Sequence, residues 1–333
     1  MKHSNIAIFV PHNGCPHQCS FCNQKEITGQ GFQPHRGDVF SAVETARKSL
    51  GANTRNAEIA FFGGSFTAID REYMTELLSA AFPFVKSGEF SGIRLSTRPD
   101  AVNNEILDIL ESYGVTSVEL GAQSMDDDVL MLNERGHTAY DVEKSSKLIK
   151  EYGFSLGLQM MTGLYGSTDE KDWCTAEKIA ALKPETVRIY PTVVMKGTKL
   201  YELYHEGKYD PPDTLQSVPL CAGLLRYFED RGIRVIRLGL HDSGSLRESM
   251  AAGAFHPSFR ELCESQIMLE NALMSLKQNR ITDGKVLFTV HPKSVSRFMG
   301  QKRSNIKALE KMGIKAVVQQ NGLLGKYEVV VSR

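Results

Sequence analysis

Three cysteines fall within eight residues, Cys15-Pro16-His17-Gln18-Cys19-Ser20-Phe21-Cys22, in the spacing Cys-x3-Cys-x2-Cys. A loop carrying three thiolates can hold three irons of a 4Fe–4S cube, because soft sulfur ligands suit iron–sulfur clusters. The fourth iron then has no protein ligand, and an open metal position is where a small molecule can bind and react. The same residues allow two plainer readings. One is a zinc knuckle completed by a distant fourth ligand such as His12 or His17, although zinc motifs usually come as paired Cys-x2-Cys units and no second pair exists here. The other is three free thiols.

The elements that must carry this loop follow from periodicity. Short apolar runs at Ile6–Val10, Glu58–Phe62, Ile93–Thr97, Ser117–Leu120, Leu156–Met161 and Thr186–Tyr190 read as strands, and helical patterns at 38–50, 70–86, 103–113, 126–151 and 168–182 lie between them. Six β/α repeats imply an α/β fold with a parallel sheet and helices outside, curled into a partial (β/α)6 TIM-like barrel. In such barrels the chemistry sits at the carboxyl ends of the strands. The polar motifs fall there: Gly63-Gly64-Ser65-Phe66-Thr67, Ser96-Thr97-Arg98-Pro99-Asp100, Glu119-Leu120-Gly121-Ala122-Gln123-Ser124, and Gln159-Met160-Met161-Thr162-Gly163. Glycines admit a ligand close to the backbone, or the first motif is a strand-to-helix turn with Thr67 capping the next helix. Arg98 can hold a carboxylate or phosphate, or pair with Asp100. Glu119, on an inward strand face, demands a cationic or ligand partner, because an unpaired buried carboxylate is costly. Arg135 interrupts a helical pattern within Asn133-Glu134-Arg135-Gly136-His137-Thr138.

The cysteine spacing, with Phe21 before the last cysteine, resembles the signature of the radical S-adenosylmethionine (SAM) superfamily. The ordered set of the glycine, STRPD, VELGAQS, ERGHT and RIYPTVVMKGTKLYELY motifs resembles the radical SAM domain of the Elongator catalytic subunit, over about residues 5–265. The oxygen-independent coproporphyrinogen dehydrogenases share the scaffold more distantly. The resemblance implies that Cys15, Cys19 and Cys22 ligate the cluster and that SAM chelates its open iron. It places Phe21, Gly64, Ser65, Ser96, Gln123, Arg135 and Gln159 against SAM. Reductive cleavage of SAM to a 5′-deoxyadenosyl radical, fed by an external electron donor, would then act on RNA, by the family's example tRNA. Two departures qualify the likeness: the chain has no room for the acetyltransferase domain that follows the barrel in that subunit, and it starts almost at the first strand, without the basic extension. An acyl donor is therefore not implied. A radical SAM enzyme acting on a small molecule or tetrapyrrole, and a noncatalytic zinc-containing RNA-binding protein, are the competing expectations.

The remaining cysteines, Cys174, Cys221 and Cys263, sit in helical patterns and are expected in the core. Residues 232–240 read as a strand outside the six, followed by His241-Asp242 as a loop-capping or proton-transferring pair, and 258–278 as a long amphipathic helix. The tail changes character: strand, helix, basic loop Gly300-Gln301-Lys302-Arg303, helix and two strands resemble a KH module, a nucleic-acid clamp with a Gly-x-x-Gly loop. Arg303 replaces the second glycine. Lys293, Arg297, Gly300, Lys302, Arg303 and Lys307 are the candidate RNA contacts on a basic edge, with a solvated lysine face as the alternative. The organisation expected is a barrel with trailing helices over 1–280 and the KH-like α+β module over 281–333. Composition adds constraints. The 333 residues balance 39 Lys and Arg against 39 Asp and Glu, so no global field advertises nucleic acid. No apolar run is long enough for a bilayer and no secretory pattern appears, so the expected compartment is the cytoplasm, whose reducing conditions suit thiolate ligands.

Overall fold

The computed structural model describes residues 4–10, 15, 18–23 and 32–333. His12 and His17, the zinc-ligand candidates, lie outside the described residues.

Strand and helix alternate from the start. The first half runs β1 (Ser4–Phe9), α1 (Arg36–Leu50), β2 (Ala57–Phe62), α2 (Arg71–Lys86), β3 (Gly92–Thr97), α3 (Asn104–Ser112), β4 (Val115–Gln123), α4 (Asp127–Leu132), α5 (Ala139–Glu151) and β5 (Ser155–Thr162). It continues with α6 (Asp169–Ala181), β6 (Thr186–Pro191), β7 (Val193–Met195), α7 (Lys199–His205), α8 (Thr214–Glu229), β8 (Arg234–Leu238), α9 (Gly244–Ser249), β9 (Met250–Gly253) and α10 (Phe259–Gln278). The helices begin where side-chain caps allow. Asp70, Asn103, Asp126, Thr138, Thr168, Thr198 and Asp213 each accept a hydrogen bond from a first-turn amide.

The main sheet has the order β1-β2-β3-β4-β5-β6-β8, every neighbouring pair parallel. It is therefore seven-stranded: the run at 232–240, expected outside the six, joins it as β8 beside β6. Alternation decides which side chains face which way. On β5 and β6 the residues Leu158, Met160, Val187 and Ile189 are buried in the helix-covered core. Their neighbours Gln159, Met161, Arg188 and Tyr190 line a cavity of about 1340 Å³ on the other face. Because β1 to β6 and β8 all contribute to that cavity, the sheet curls around it as a half-barrel open between β1 and β8. Met160 packs in the core, and Met161 faces the cavity.

The tail contains β10 (Gly284–Val290), α11 (Val295–Met299), α12 (Ser304–Lys311), β11 (Ile314–Gln320) and β12 (Val329–Ser332). Its sheet has the order β11-β10-β12, with β10 parallel to β11 and antiparallel to β12. Helix α10 belongs to both cores. Cys263 and Ile267 pack with the barrel, while Met268, Ala272 and Leu276 pack with Val286, Phe288 and Phe298 of the tail. A buried carboxylate reinforces the seam: Glu264 pairs with Arg260, Lys326 and Arg297.

Candidate functional site

The cysteine loop sits at the carboxyl end of β1, and Cys15, Cys19, Phe21 and Cys22 all line the barrel cavity. One buried serine anchors it. Ser20 donates its hydroxyl to Asn133 Oδ1 (2.8 Å) and its amide to the Asn133 carbonyl (3.1 Å), while its own carbonyl accepts from the Leu200 amide (2.7 Å). Asn133 in turn donates to the carbonyls of Val129 and Tyr165. Loop, ERGHT motif and the start of α7 are thus tied at one point, which explains why these separate stretches carry unusual residues. Sequence reasoning noticed the ERGHT motif but not the Ser20–Asn133 joint. A small polar residue between two site cysteines was its only signal.

Arg135 lies beneath the thiols. Its Nη1 donates to Cys19 Sγ (2.9 Å), its Nη2 to the Gly121 carbonyl (2.7 Å), and its guanidinium stands 5.9 Å from the centre of the Phe21 ring. A Cβ on Gly121 would stand 3.5 Å from Arg135 Nη2 and 3.0 Å from Gln123 Nε2, so the glycine leaves these side chains their room. Gln123 has φ of 66°, the left-handed region that a glutamine adopts only at a cost of about 1–3 kcal/mol. It sits at a register shift between β4 and β5, which re-aims its side chain into the cavity.

Three buried polar atoms here have no hydrogen-bond partner among the described residues: Gln123 Oε1, Arg98 Nη1 and Arg135 Nε. Buried polar atoms are almost always satisfied, so a strained acceptor and two guanidinium donors facing one cavity fit a polar ligand. Burial and the adjacent Cys19 hold the Cys15 thiol above its ordinary range, against the pull of Arg98 and Arg135. Among the described residues no three His, Cys, Asp or Glu converge as ligands of a single ion. A cube spreads its thiolates over separate irons, so convergence on one point is not what three cluster ligands require.

The other expected contacts divide. Gly64, Ser96 and Gln159 line the cavity with Gln123 and Arg135. Ser65 does not: it is fully buried, its hydroxyl bonded to Thr97 Oγ1 (2.9 Å) and accepting from the Arg98 amide (3.1 Å). It fastens the glycine turn to the end of β3. Thr67 does not cap the next helix, which Asp70 does; its hydroxyl bonds Thr97 Oγ1 and the Ala101 carbonyl, both at 2.6 Å. Arg98 makes the bland pairing foreseen for it, bidentate to Asp100 (2.9 and 3.1 Å), while its Nη2 also reaches the Arg135 carbonyl.

Glu119 finds its partners across the sheet. It accepts from Arg94 (3.0 Å), from Arg188 Nε and Nη2 (2.6 and 3.0 Å) and from Gln159 Nε2 (3.2 Å). Arg94 also donates to Glu58 (2.7 Å), whose carboxylate accepts from Thr116 and Ser117. Gly157 makes this possible, since a Cβ there would stand 2.7 Å from Glu119 Cγ. Sequence reading required a partner for Glu119 but did not name Arg94 or Arg188. Each stands inside an apolar run on the cavity-facing parity, which was the available signal.

His137 is buried, its Nε2 3.2 Å from the Ala122 carbonyl. Burial, aided by the Arg135 charge, pushes its imidazole down to about 4. The folded value lies below the unfolded one near 6.5, so folding must strip a proton below that pH. Stability is lost as pH falls from about 6.5 toward 4, by up to about 3 kcal/mol. Chemical denaturation of a His137→Gln chain, compared with the unsubstituted chain over that window, is expected to show a flatter decline; equal slopes would remove the assignment.

Other expectations fail in detail. Cys221 and Cys263 are buried, but Cys174 is exposed on α6. No hydrogen bond joins His241 to Asp242: Asp242 is held by Arg247 (2.6 Å), and His241 lines the cavity. In the tail, Lys293, Lys302, Arg303 and Lys307 are exposed, but Arg297 is drawn into its ion pair with Glu264 and leaves the basic edge. Gly300, Lys302 and Arg303 have φ of 75°, 51° and 61°. Arg303 thus adopts the backbone that a second glycine would favour.

The radical SAM superfamily profile matches residues 9–179, more than half of the chain, and a radical SAM C-terminal domain profile matches residues 184–268. A tRNA uridine(34) acetyltransferase of Dehalococcoides mccartyi is 27% identical over 281 residues, covering 72% of this chain and 61% of that protein. Elongator complex protein 3 of Schizosaccharomyces pombe is 29% identical, covering 73% of this chain and 54% of its own length. The chain thus spans little more than half the length of these relatives. Among solved structures, an archaeal Elp3 from Methanocaldococcus infernus superposes with a TM-score of 0.61 at 21% identity, over 84% of this chain and 63% of that one, a likeness of fold.

Proposed function

The chain belongs to the radical SAM superfamily, and we propose that it cleaves SAM reductively at a 4Fe–4S cluster to modify RNA, with tRNA as the class its relatives' names suggest. The carrying observation is the cavity in which three loop cysteines face a strained, unpartnered glutamine and two part-satisfied arginines. Bound together, cluster and SAM supply a 5′-deoxyadenosyl radical that abstracts hydrogen from a substrate carbon.

The residues divide the work. Cys15, Cys19 and Cys22 hold three irons. Arg135 offsets the negative charge of the thiolates through its bond to Cys19 and stiffens Phe21, which packs beside SAM. Gly64 and Ser96 line the wall for the methionine part, with Ser65 positioning that turn from behind. Gln123 and Gln159 contact SAM from β4 and β5, Gln159 while held by Glu119. The enclosing sheet keeps water from a reactive intermediate. An external electron donor is required, and the cytoplasm is the setting in which reduced thiolates persist. Among the described residues no helix is long and apolar enough to cross a membrane.

The domain reading is a barrel unit over 1–280 and a KH-like unit over 281–333 that share α10. Lys302, Arg303 and Lys307, with Lys293 and Gly300, form the RNA-facing edge. Because α10 serves both cores, charge reversal is a cleaner probe than truncation. A Lys302→Glu/Arg303→Glu/Lys307→Glu chain is expected to bind tRNA at least tenfold more weakly; unchanged affinity would favour a small-molecule substrate. The function itself is tested by anaerobic reconstitution with dithionite and SAM. 5′-Deoxyadenosine is the expected product, and cells lacking the protein should lose a modified tRNA nucleoside. A chain loaded with iron and sulfide that binds SAM yet yields no 5′-deoxyadenosine would overturn the reading.

A further inference from the structure

Among the described arginines that line the cavity, Arg237 alone has neither a hydrogen bond nor an ion pair. Arg94 is flanked by Glu58 and Glu119, Arg98 by Asp100, and Arg188 by Glu119, while Arg135 rests on the Cys19 sulfur. Arg237 on β8 also lines the cavity, half-buried, and makes no hydrogen bond or ion pair with any described residue. Its placement is built. The β6–β8 register runs Val187↔Val235 and then Arg188↔Arg237, passing over Ile236. That irregularity sets two arginines directly side by side across the ladder. Without it, the alternation of β8 would put the exposed Ile236 there instead. Like charges opposite one another destabilise a sheet, and a half-buried guanidinium without an acceptor adds a desolvation cost. Glu119 is already taken by Arg188, Arg94 and Gln159. The formal charge of the whole chain is zero, so no general basic field accounts for the pair.

We infer that Arg237 is the anchor of an anion subsite at the β6–β8 end of the cavity, taking a phosphate group of a nucleotide substrate. His241 and Ser243, which line the same end just past β8, supply further donors. A guanidinium offers a phosphate paired donors in a fixed fork, as it does a carboxylate, and phosphate is the anion that the proposed RNA substrate carries. The subsite lies at the opposite end of the strand order from β1, whose loop carries the cysteines. It would hold the substrate's phosphate while leaving the thiol side to the cofactors. This deepens the proposed function and rests on it for the identity of the anion and of the nucleoside. Binding is measured here without SAM or reductant, so a failure to cleave SAM leaves the subsite untouched, and the reverse holds too.

The test is equilibrium titration of the full chain with uridine 5′-monophosphate and with uridine. The unsubstituted chain is expected to prefer the monophosphate by about tenfold, and Arg237→Gln to lose that preference while binding uridine as before. Arg237→Lys, which keeps the charge but not the fork, should keep part of it. Inorganic phosphate should compete with the monophosphate and not with uridine, a reading that needs no variant. A uridylyl-uridine arm separates the sources, since tighter binding of the dinucleotide marks the diester of a polynucleotide and weaker binding a free nucleotide. No preference in the unsubstituted chain, an undiminished preference in Arg237→Gln, or no competition by phosphate would overturn the assignment.

Discussion

A Cys19→Ala chain is expected to lose its cluster and with it all 5′-deoxyadenosine formation, whereas Cys174→Ala is expected to change neither. The two thiols differ in every respect that matters. Cys19 is buried, lines the cavity and accepts from Arg135, while Cys174 is exposed on α6. Losing one of three cluster thiolates leaves an iron with no protein ligand in addition to the open one. The substitution also strips Arg135 of its sulfur contact. A buried guanidinium whose Nε is already without a partner would then lose a second interaction. Iron and sulfide content, the visible absorption of the reconstituted protein and product formation are the three readouts. Retained iron with lost product would mean that Cys19 acts on SAM rather than on the cluster. Full product formation would remove the cluster assignment altogether.

How far the sequence carries this account can be seen at particular residues. The strands were legible because a parallel sheet covered by helices needs apolar residues at every second position, and Leu158, Met160, Val187 and Ile189 supply them. The cavity-facing parity of β4 was legible in Gly121 and Gln123, while Gly64, Ser96, Arg135 and Gln159 were placed by the motifs' resemblance to a known family, and all six line the cavity. What parity cannot give is a side chain's choice among neighbours. Ser65 had two polar partners behind it in Thr97 and the Arg98 amide, and it turned to them. Arg297 looked like part of a basic edge because Glu264 is 33 positions away in the chain, beyond any local pattern. Strand β8 was recognised but not counted with the six repeats, and the intervening β7 and α7 do break the simple alternation. The register irregularity that brings Arg237 beside Arg188 has no local sequence signature at all.

The ionic ladder across the barrel floor gives the largest expected effect on stability. Glu119 is 1% exposed and holds Arg94 and Arg188, whose side chains are 5% and 15% exposed. A Glu119→Leu chain leaves both guanidiniums without that carboxylate. Arg94 keeps Glu58, and Arg188 keeps the distant Tyr190 hydroxyl at 3.5 Å and the face of Phe62. Removing one partner of a buried pair costs about 3–5 kcal/mol, because the charge left behind stays desolvated. That is a large share of the roughly 5–15 kcal/mol by which a domain is stable. The loss should therefore appear as a strong drop in the denaturation midpoint or in soluble yield. A Glu119→Leu/Arg188→Met chain should recover much of it, since Arg188 is then gone and Arg94 still has Glu58. Gln159 serves as an internal check: freed from Glu119, its amide becomes more mobile, so SAM affinity in the double variant should fall even where stability returns. If Glu119→Leu unfolds no more readily than the unsubstituted chain, the ladder contributes nothing net.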